Sequence, residues 1–424
     1  MANQTLSAEE PTAAMAEPQG VVGRTFSSLR HRNFRLYFMG QLVSNTGNWL
    51  TNVALTLLVL KITGSGLRVG WLAACQYGPM MVLSPYAGAL ADRFSKRRSL
   101  IVTQTLEMAQ SIGLAVLAFL PHPPLLALYV LAGAGGIFLA FDNPLRRSFV
   151  TEMVAPRDLP NAIVLYSTIV NGSRIFGPAL AGLLIVSVGY GWCFALDATS
   201  YLAVLLCLFL MRENELHRPD KPAERKGAVR AGLRYLFDTP PLWISFMMLA
   251  IVGTLSYNFS VTLPIFVTKV LHSSERTYTL LYSTFSVGAV VCSLFIAHRG
   301  LTRMRHIILG GVLLGIAMLV LASVSSVWLA VPVIFAVGMA SILYMTATTA
   351  IAQTEAKREM HGRVLALQTV LIGGPMAVGG PILGGLADAF GGRTPIILGG
   401  IAALAAAGIG VWASRRNGVN VSRA

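Results

Sequence analysis

Twelve long apolar runs, separated by polar breaks, constrain this chain of 424 residues more than any other feature. A helix that crosses the ~30 Å hydrocarbon core of a bilayer needs about 20 apolar residues. The composition permits many such helices, because 54% of the residues are apolar and only 12% are charged. The runs cover approximately residues 36–60, 69–91, 99–120, 125–145, 161–188, 193–211, 242–267, 278–297, 306–324, 327–352, 364–388 and 395–414. The sequence therefore predicts an all-α integral membrane protein with 12 transmembrane helices.

The basic residues are distributed unevenly between alternate breaks. With the N-terminus inside, 27 of the 33 Lys and Arg residues fall in cytoplasmic segments. The opposite side holds Lys61, Arg68, Lys269, Arg276 and Arg393. Because Lys and Arg concentrate in cytoplasmic loops, this imbalance predicts two cytoplasmic termini in a multi-pass protein of the inner (plasma) membrane. The net charge of +15 then follows from topology, and no nucleic-acid partner is predicted.

One charged stretch, residues 212–241, divides the runs into six and six. It predicts a cytoplasmic linker between an N-terminal half, residues 24–211, and a C-terminal half, residues 242–414. Within the linker, residues 225–237 fit an amphipathic surface helix and a solvated segment equally well. Residues 1–23 are predicted to form a disordered cytoplasmic lead, since they lack the basic start and apolar centre of a signal peptide. Residues 415–424 are predicted to form a cytoplasmic tail.

A Gly-Pro motif in the fifth run recurs in the eleventh run, about two hundred residues later. Proline removes a backbone donor and bends a helix, while glycine allows close contact with a neighbouring helix. The recurrence indicates that a six-helix unit has been duplicated. The motif residues are Gly177, Pro178 and Gly182 in the first copy and Gly380, Pro381 and Gly384 in the second.

The break between the second and third runs reads Gly88-Ala-Leu-Ala-Asp92-Arg93-Phe-Ser-Lys96-Arg-Arg. It is similar to the signature of the major facilitator superfamily in the same loop, although Ser95 stands for the usual glycine and Lys96 for the usual arginine. With the 12 runs and the duplication, the chain resembles this superfamily of secondary transporters. The resemblance implies two pseudo-symmetric six-helix bundles that alternate in exposing a central site.

The fourth run ends with Asp142 and Arg146, one helical turn apart and on the side of the membrane predicted for the Asp92 loop. In the resembling family, an acid at this position joins the loop cation in an interior gate network. The resemblance therefore implies that Asp142 pairs with Lys96 and that Arg146 pairs with Asp92. The alternative is an ordinary helix end whose charged side chains reach water.

Several strings in the first half narrow the resemblance. Residues 141–146 (FDNPLR) and 171–178 (NGSRIFGP) are similar to the branch that contains enterobactin-type siderophore exporters and macrolide or multidrug efflux proteins. Within the superfamily, the Gly-Pro motif of the fifth helix also marks exporters. The resemblance implies export of a small-molecule substrate, and a nutrient importer of the same fold is the alternative.

Four amide side chains recur at helical spacing in the first run, so they share one helix face. An unsatisfied amide is expensive in hydrocarbon, so this face must contact water, a ligand or another helix. We predict a substrate cavity, and interhelical hydrogen bonding is the alternative. The amides are Gln41, Asn45, Asn48 and Asn52, and the predicted facing groups are Tyr257, Asn258, Ser341, Tyr344 and Thr348.

Two charged residues deep in the spans are candidates for coupling transport to an ion gradient. Glu107 lies about 10 Å into the third run and Arg174 about 18 Å into the fifth. A central Arg is costly in a membrane, so Arg174 is expected to face water or to pair with Glu107 or Asp142. No ATP-binding P-loop occurs in the sequence, which favours an ion gradient as the energy source without deciding the ion.

These features predict a secondary active transporter that exports small amphipathic compounds, drug-like or siderophore-like, in exchange for protons, as a monomer. An integral-membrane enzyme is an alternative, but its only candidate acids, Asp142, Glu152 and Asp158, have a spacing that matches no catalytic site. A non-transporting receptor is a further alternative. The cysteine and histidine residues show no metal-ligand spacing, and neither catalytic residues, a metal nor a cofactor is predicted.

Overall fold

The structure is a computed structural model that describes residues 26–91, 94–217, 228–299, 303–357 and 360–419. This part of the chain is helical and contains no strand. Gly88 lies near the end of the second helix, whereas Asp92 and Arg93 lie outside the described residues. The first six helices are α1 (Arg32–Thr63), α2 (Gly66–Ala91), α3 (Lys96–Ala118), α4 (Leu125–Met153), α5 (Leu159–Ser187) and α6 (Tyr190–Leu210).

The second set of helices begins with a short amphipathic helix from the linker, α7 (Ala228–Asp238). The seventh apolar run forms two helices, because the chain bends at residues 256–258. There Asn258 donates a hydrogen bond through Nδ2 to the carbonyl of Thr254 at 2.7 Å, which satisfies one of the free carbonyls at a helix end. The helices are α8 (Pro240–Leu255), α9 (Phe259–Lys269), α10 (Glu275–Arg299), α11 (Met304–Ser323), α12 (Val327–Thr354), α13 (His361–Phe390) and α14 (Thr394–Arg416).

Ten segments of the described chain are long and apolar enough to cross a membrane, the pair α8 and α9 counting as one. Helices α1 and α2 are not among the ten, although they contain 32 and 26 residues and are long enough to span. Helix α1 is less apolar because of its amide face, and α2 because it contains Arg68, Gln76 and two prolines. With these two helices, the expectation of 12 spans in an all-α membrane fold is confirmed.

The two halves repeat the same packing pattern. In the first half α1 packs against α5 and α6, α3 packs against α4 and α6, and α2 packs against α4. Each pair has a counterpart six spans later, for example α11 against α12 and α14, and α10 against α12. The predicted pair of pseudo-symmetric six-helix bundles is therefore confirmed.

The halves meet along two helix pairs, α2 with α13 and α5 with α10. Three of the four motif glycines, Gly182, Gly380 and Gly384, lie in these contacts. A Cβ atom added at Gly384 would meet the carbonyl oxygen of Gly66, and one added at Gly70 would meet the carbonyl of Gly380. On the other pair, a Cβ atom at Gly182 would overlap Thr279 of α10. Both α5 and α13 continue as helices through Pro178 and Pro381.

Hydrogen bonds join the halves at one end of the bundle, which we name the closed end: the turn at residues 64–65, the start of α10 and the end of α13. Asp388 of α13 accepts bonds from the Ser65 hydroxyl at 2.6 Å and from the backbone N–H groups of Gly66 at 2.8 Å and Leu67 at 3.0 Å. It thereby caps the N-terminus of α2, where a negative charge is favourable. Tyr190 of α6 bonds to Glu275 of α10 at the same end.

The contact between α2 and α13 can be tested with two adjacent glycines. Gly384→Ala should lower the free energy of unfolding by about 1–3 kcal/mol, because its methyl group would overlap backbone that cannot rotate away. Gly385→Ala is the control, since its Cβ atom would lie 3.5 Å from the Leu67 side chain, an ordinary contact. Thermal unfolding of both purified variants in detergent measures the effect. Equal melting temperatures would contradict this packing.

Candidate functional site: a buried charge network beside a polar cavity

Arg146 is the centre of a charge network inside the first half. Its side chain is 4% exposed and lies between two carboxylates. One guanidinium nitrogen, Nη2, donates to Glu107 Oε2 of α3 at 3.0 Å, and Nε pairs with Asp142, one turn earlier on α4. The remaining nitrogen, Nη1, donates to Gln41 Oε1 of α1 at 3.0 Å. Three helices are thus joined through one cation.

Uncharged groups hold the two carboxylates in place. The side-chain amide of Gln104 donates to Asp142 Oδ1 at 2.8 Å and to Glu107 Oε2 at 3.1 Å. The Thr103 hydroxyl donates to the same Asp142 oxygen at 2.7 Å. The network therefore contains one permanent cation and two acids, so it carries a net negative charge when both acids are ionised. Binding of one proton would balance it.

The ion pairs differ from those that the resemblance implied. Lys96 pairs with Glu152 at 3.1 Å and not with Asp142, while Arg146 turns inward to Glu107 and Asp142. Asp92, the partner expected for Arg146, lies outside the described residues. The pairs differ because the two α4 residues lie at different depths in the bundle. Arg146 lies about two turns before the end of α4, between α1 and α3, and so reaches the acids inside the bundle. Glu152 lies at the end of α4, near Lys96 at the start of α3.

A cavity of about 90 Å³ borders this network within the first half. Glu107 lines it, together with Asn48 and Asn52 of α1, so the network is in contact with a polar space. The amide face of α1 is consequently divided between two roles. Asn48 accepts a bond from the Tyr201 hydroxyl at 2.7 Å, while Asn45 donates to Gln41 Oε1 at 3.0 Å and so supports the charge network. The sequence alone left both roles open.

The polar residues predicted to face α1 from the second half are mostly buried among their own helices. Asn258, Ser341, Tyr344 and Thr348 are at most 4% exposed, and none of them lines the polar cavity. Tyr257 is partly exposed and donates to the backbone carbonyl of Ser341 at 2.6 Å. The structure therefore places four of these five predicted cavity residues in the packed interior of the second half.

Arg174 is exposed and lies apart from the acids that were expected to pair with it. Both Glu107 and Asp142 form ion pairs with Arg146. Arg174 makes no ion pair among the residues that the structure describes. Its guanidinium instead lies 5.8 Å from the ring centre of Trp49, a cation–π distance. It also interacts electrostatically with the hydroxyls of Tyr77 on α2 and Tyr282 on α10. Arg174 thus lies where helices of both halves meet.

Aromatic rings extend from Arg174 into the second half. Trp49 of α1 lies 5.8 Å from Tyr282 of α10, and Tyr282 lies 6.0 Å from Phe285. Phe285 in turn lies 4.8 Å from Phe259 of α9. Gly177 of the first Gly-Pro motif makes room for this arrangement, because a Cβ atom there would overlap the Trp49 side chain. The resulting surface combines one cation with aromatic faces.

Three acids in or beside the apolar runs occupy structural positions that the sequence did not predict. Asp197 lies buried in α6 and Asp388 caps α2 across the two halves, while Glu152 holds the cation of the loop motif. Their presence in or beside apolar runs was the available signal. The acids considered for the alternative of a membrane enzyme belong to different ion pairs: Glu152 pairs with Lys96 at 3.1 Å, and Asp158 pairs with His31 at 2.8 Å. Within the described ranges, no group of three or more potential metal ligands occurs.

This fold is that of a secondary transporter of the major facilitator type, and comparison with known proteins identifies the family. A model of the transmembrane secretion effector family matches residues 23–420. The chain belongs to this family of the major facilitator superfamily. It is a multi-pass membrane transporter and not an enzyme.

Individual proteins agree with this assignment. The chain is 24% identical to the staphyloferrin A transporter of Staphylococcus aureus over 84% of its own length and 90% of that protein. It is 26% identical to the enterobactin exporter of Salmonella typhimurium over 84% of this chain and 86% of that protein. A bacterial homologue of the human lysosomal transporter Spinster shares the fold, with a TM-score of 0.71 and 15% identity over 93% of this chain and 98% of that one.

Removal of the central cation should destabilise the first half. Arg146→Ala leaves Glu107 and Asp142 buried without their partner, and loss of one member of a buried pair costs about 3–5 kcal/mol. Thermal unfolding in detergent measures this loss. Arg147→Ala is the control, because this neighbour is exposed and its change should stay within about 0.5 kcal/mol. Adding Glu107→Gln to Arg146→Ala should restore part of the stability. Equal melting temperatures for the two single variants would contradict the network.

Proposed function

We propose that the protein is a secondary active exporter of small amphipathic compounds, driven by exchange for protons. In this proposal a single chain in the inner membrane is the functional unit, with both termini in the cytoplasm. The family description, secretion effector, supports export. So does the similarity to an enterobactin exporter along most of both chains. The substrate is then a siderophore-like or drug-like molecule.

The observation that carries proton coupling is the sharing of Arg146 between two carboxylates, one of which borders a polar cavity. A proton that binds Glu107 neutralises it and weakens its ion pair with Arg146, which keeps Asp142 as its partner. Loss of the proton restores the pair. Because this pair joins α3 to α4, protonation changes the interaction between two helices of the first half. A transporter needs such a link between a titrating acid and helix packing.

The closed end defines one conformation of the proposed cycle. With both termini in the cytoplasm, the closed end faces outward, and substrate would load from the cytoplasmic side. Opening of this end requires separation of α2 from α13 and of α5 from α10, including the bonds from Asp388 to the start of α2. Each half moves as a unit, as expected for two repeats that rock around a central site.

The surface formed by Arg174, Trp49 and Tyr282 supports the choice of substrate class. Aromatic faces bind the apolar part of an amphipathic molecule, and a guanidinium binds a negatively charged or electron-rich group. This surface lies between the halves, where both α5 and α10 contribute. A ligand held there would contact both bundles, so its binding and release would respond to their relative movement.

Export and proton coupling can be tested together in cells that express the protein. Efflux of a panel of dyes, drugs and a siderophore should be rapid, and an uncoupler should abolish it because the proton gradient drives it. Glu107→Gln should reduce efflux to the level of cells without the protein, at matched membrane expression. Glu215→Gln, which removes an equal charge from an exposed surface pair, is the control. Uncoupler-resistant efflux would exclude proton coupling, and net uptake would favour an importer.

Arg174 provides a second test of function. Arg174→Ala should abolish efflux, and Arg174→Lys should restore it only in part, because lysine keeps the charge but loses the planar guanidinium. Arg157→Ala removes an exposed cation from the turn before α5 and serves as the control. Loss confined to anionic compounds would indicate substrate binding, and loss for every compound would indicate a role in coupling. Wild-type efflux by Arg174→Ala would exclude both.

A further inference from the structure

A third carboxyl lies inside the first half without a cation. Asp197 of α6 is fully buried, and within the described chain no Lys, Arg or His forms an ion pair with it. Three hydroxyl groups surround it instead. Thr51 of α1 donates to Oδ2 at 2.6 Å, Ser111 of α3 donates to the same oxygen at 2.8 Å, and Ser200 lies 3.4 Å from Oδ1. The carboxyl is therefore well ligated but its charge is not balanced.

An ionised carboxylate in this position is expensive. The site lies within the membrane-spanning part of α6, and an acid there faces the bundle interior because lipid cannot solvate it. Hydroxyl donors offset part of this cost but carry no positive charge. Binding of a proton removes the charge altogether. Unlike Asp142, which has Arg146 one turn away, Asp197 can reach neutrality only by protonation.

The charged and titratable groups around Asp197 come from each packed helix. Helix α3 contributes Glu107, α4 contributes Arg146 and α6 itself contributes Tyr201, all of which interact with it electrostatically. Helix α5 carries Arg174, which is directed to Trp49. Helix α1 contributes the uncharged Thr51 together with Gly47, where a Cβ atom would overlap the Asp197 carboxyl. The close approach of α1 thus leaves space for this acid.

Thr51 connects the buried carboxyl to the polar cavity. Its side chain lines the same cavity that Glu107 borders, and its hydroxyl donates to Asp197 Oδ2. Ser111 also donates to Oδ2 but does not line the cavity. Of the two hydroxyls on this oxygen, only that of Thr51 can exchange a proton with a water molecule in the cavity and with Asp197.

We propose that Asp197 is a second proton-binding site, which exchanges protons with the polar cavity through the Thr51 hydroxyl. A hydronium ion in the cavity transfers its proton to Thr51 Oγ1 and becomes water, while the original hydroxyl proton moves to Asp197 Oδ2. Thr51 is unchanged, and the positive charge of the hydronium and the negative charge of the carboxylate are both neutralised. Release follows the reverse path. The first half then holds two exchangeable protons, one on Glu107 and one on Asp197. Their use in transport rests on the proposed function, but their binding does not.

Infrared difference spectroscopy of the purified protein tests this site without a transport substrate. Protons and deuterons are the only ligands added. The C=O stretch of the protonated Asp197 carboxyl should appear as the pH is lowered from alkaline to mildly acidic values, and it should shift in deuterated buffer. Asp197→Asn should remove this band, whereas Glu107→Gln should leave it in place. Asp197→Glu tests the assignment of the band to this residue in a second way, because the band should persist but shift in frequency. A band that survives Asp197→Asn unchanged, or no band at all, would overturn the proposal.

The path through Thr51 is tested by the rate of hydrogen–deuterium exchange of the same band. Thr51→Val should slow the exchange several-fold, and Thr51→Ser should restore it. Ser111→Ala is the matched control, since it removes an equivalent donor from the same oxygen but leaves the cavity contact intact. Equal rates in Thr51→Val and Ser111→Ala would exclude the path. These outcomes are independent of efflux, so uncoupler-resistant efflux with a normal Asp197 band would reject the proposed coupling and leave the proton site intact.

Discussion

The organisation of the first half depends on the high cost of an uncompensated charge inside a membrane protein. Arg146 can be buried because Glu107, Asp142 and Gln41 occupy all three of its nitrogen groups. The acids can be buried because Arg146 is present. The Arg146 network therefore holds α1, α3 and α4 in one arrangement, because loss of the cation would leave charge uncompensated inside the membrane. In the proposed transporter, the same dependence makes the arrangement sensitive to protonation, since a single proton changes the balance of charges.

Contact between the halves follows a different principle. Along α2 and α13 the two backbones approach closely because glycines face each other, and no side chain separates them. Such surfaces bring helices together by close packing and leave few specific bonds to break. The specific bonds are concentrated at the closed end, where Asp388 caps α2. In the proposed transporter, charge networks hold each half together and glycine-lined contacts between the halves allow the two bundles to move relative to each other.

The polar cavity lies beside both groups of buried acids in the first half. Glu107 and Thr51 line it, and through them it reaches both the Arg146 network and Asp197. Arg174 belongs to a different region, because it faces Trp49 at the meeting of the halves. In the proposed transporter, the groups that bind protons are thus spatially distinct from the groups suited to bind substrate. The movement of the bundles is then what couples them.

The sequence by itself determined the membrane class, the 12 spans, the duplication and the superfamily, because each of these follows from run length, spacing and local motifs. It also singled out Gln41, Glu107, Asp142 and Arg146, which the structure brings together, since a charged or amide side chain in an apolar run is conspicuous. Only the tertiary structure decided their partners. Sequence distance does not reveal that Arg146 reaches Glu107, that Gln41 and Asn48 on one helix face serve different neighbours, or that Asp197 meets Thr51. Pairing depends on how helices far apart in the chain are rotated and how deep each side chain lies, and only their packing determines both.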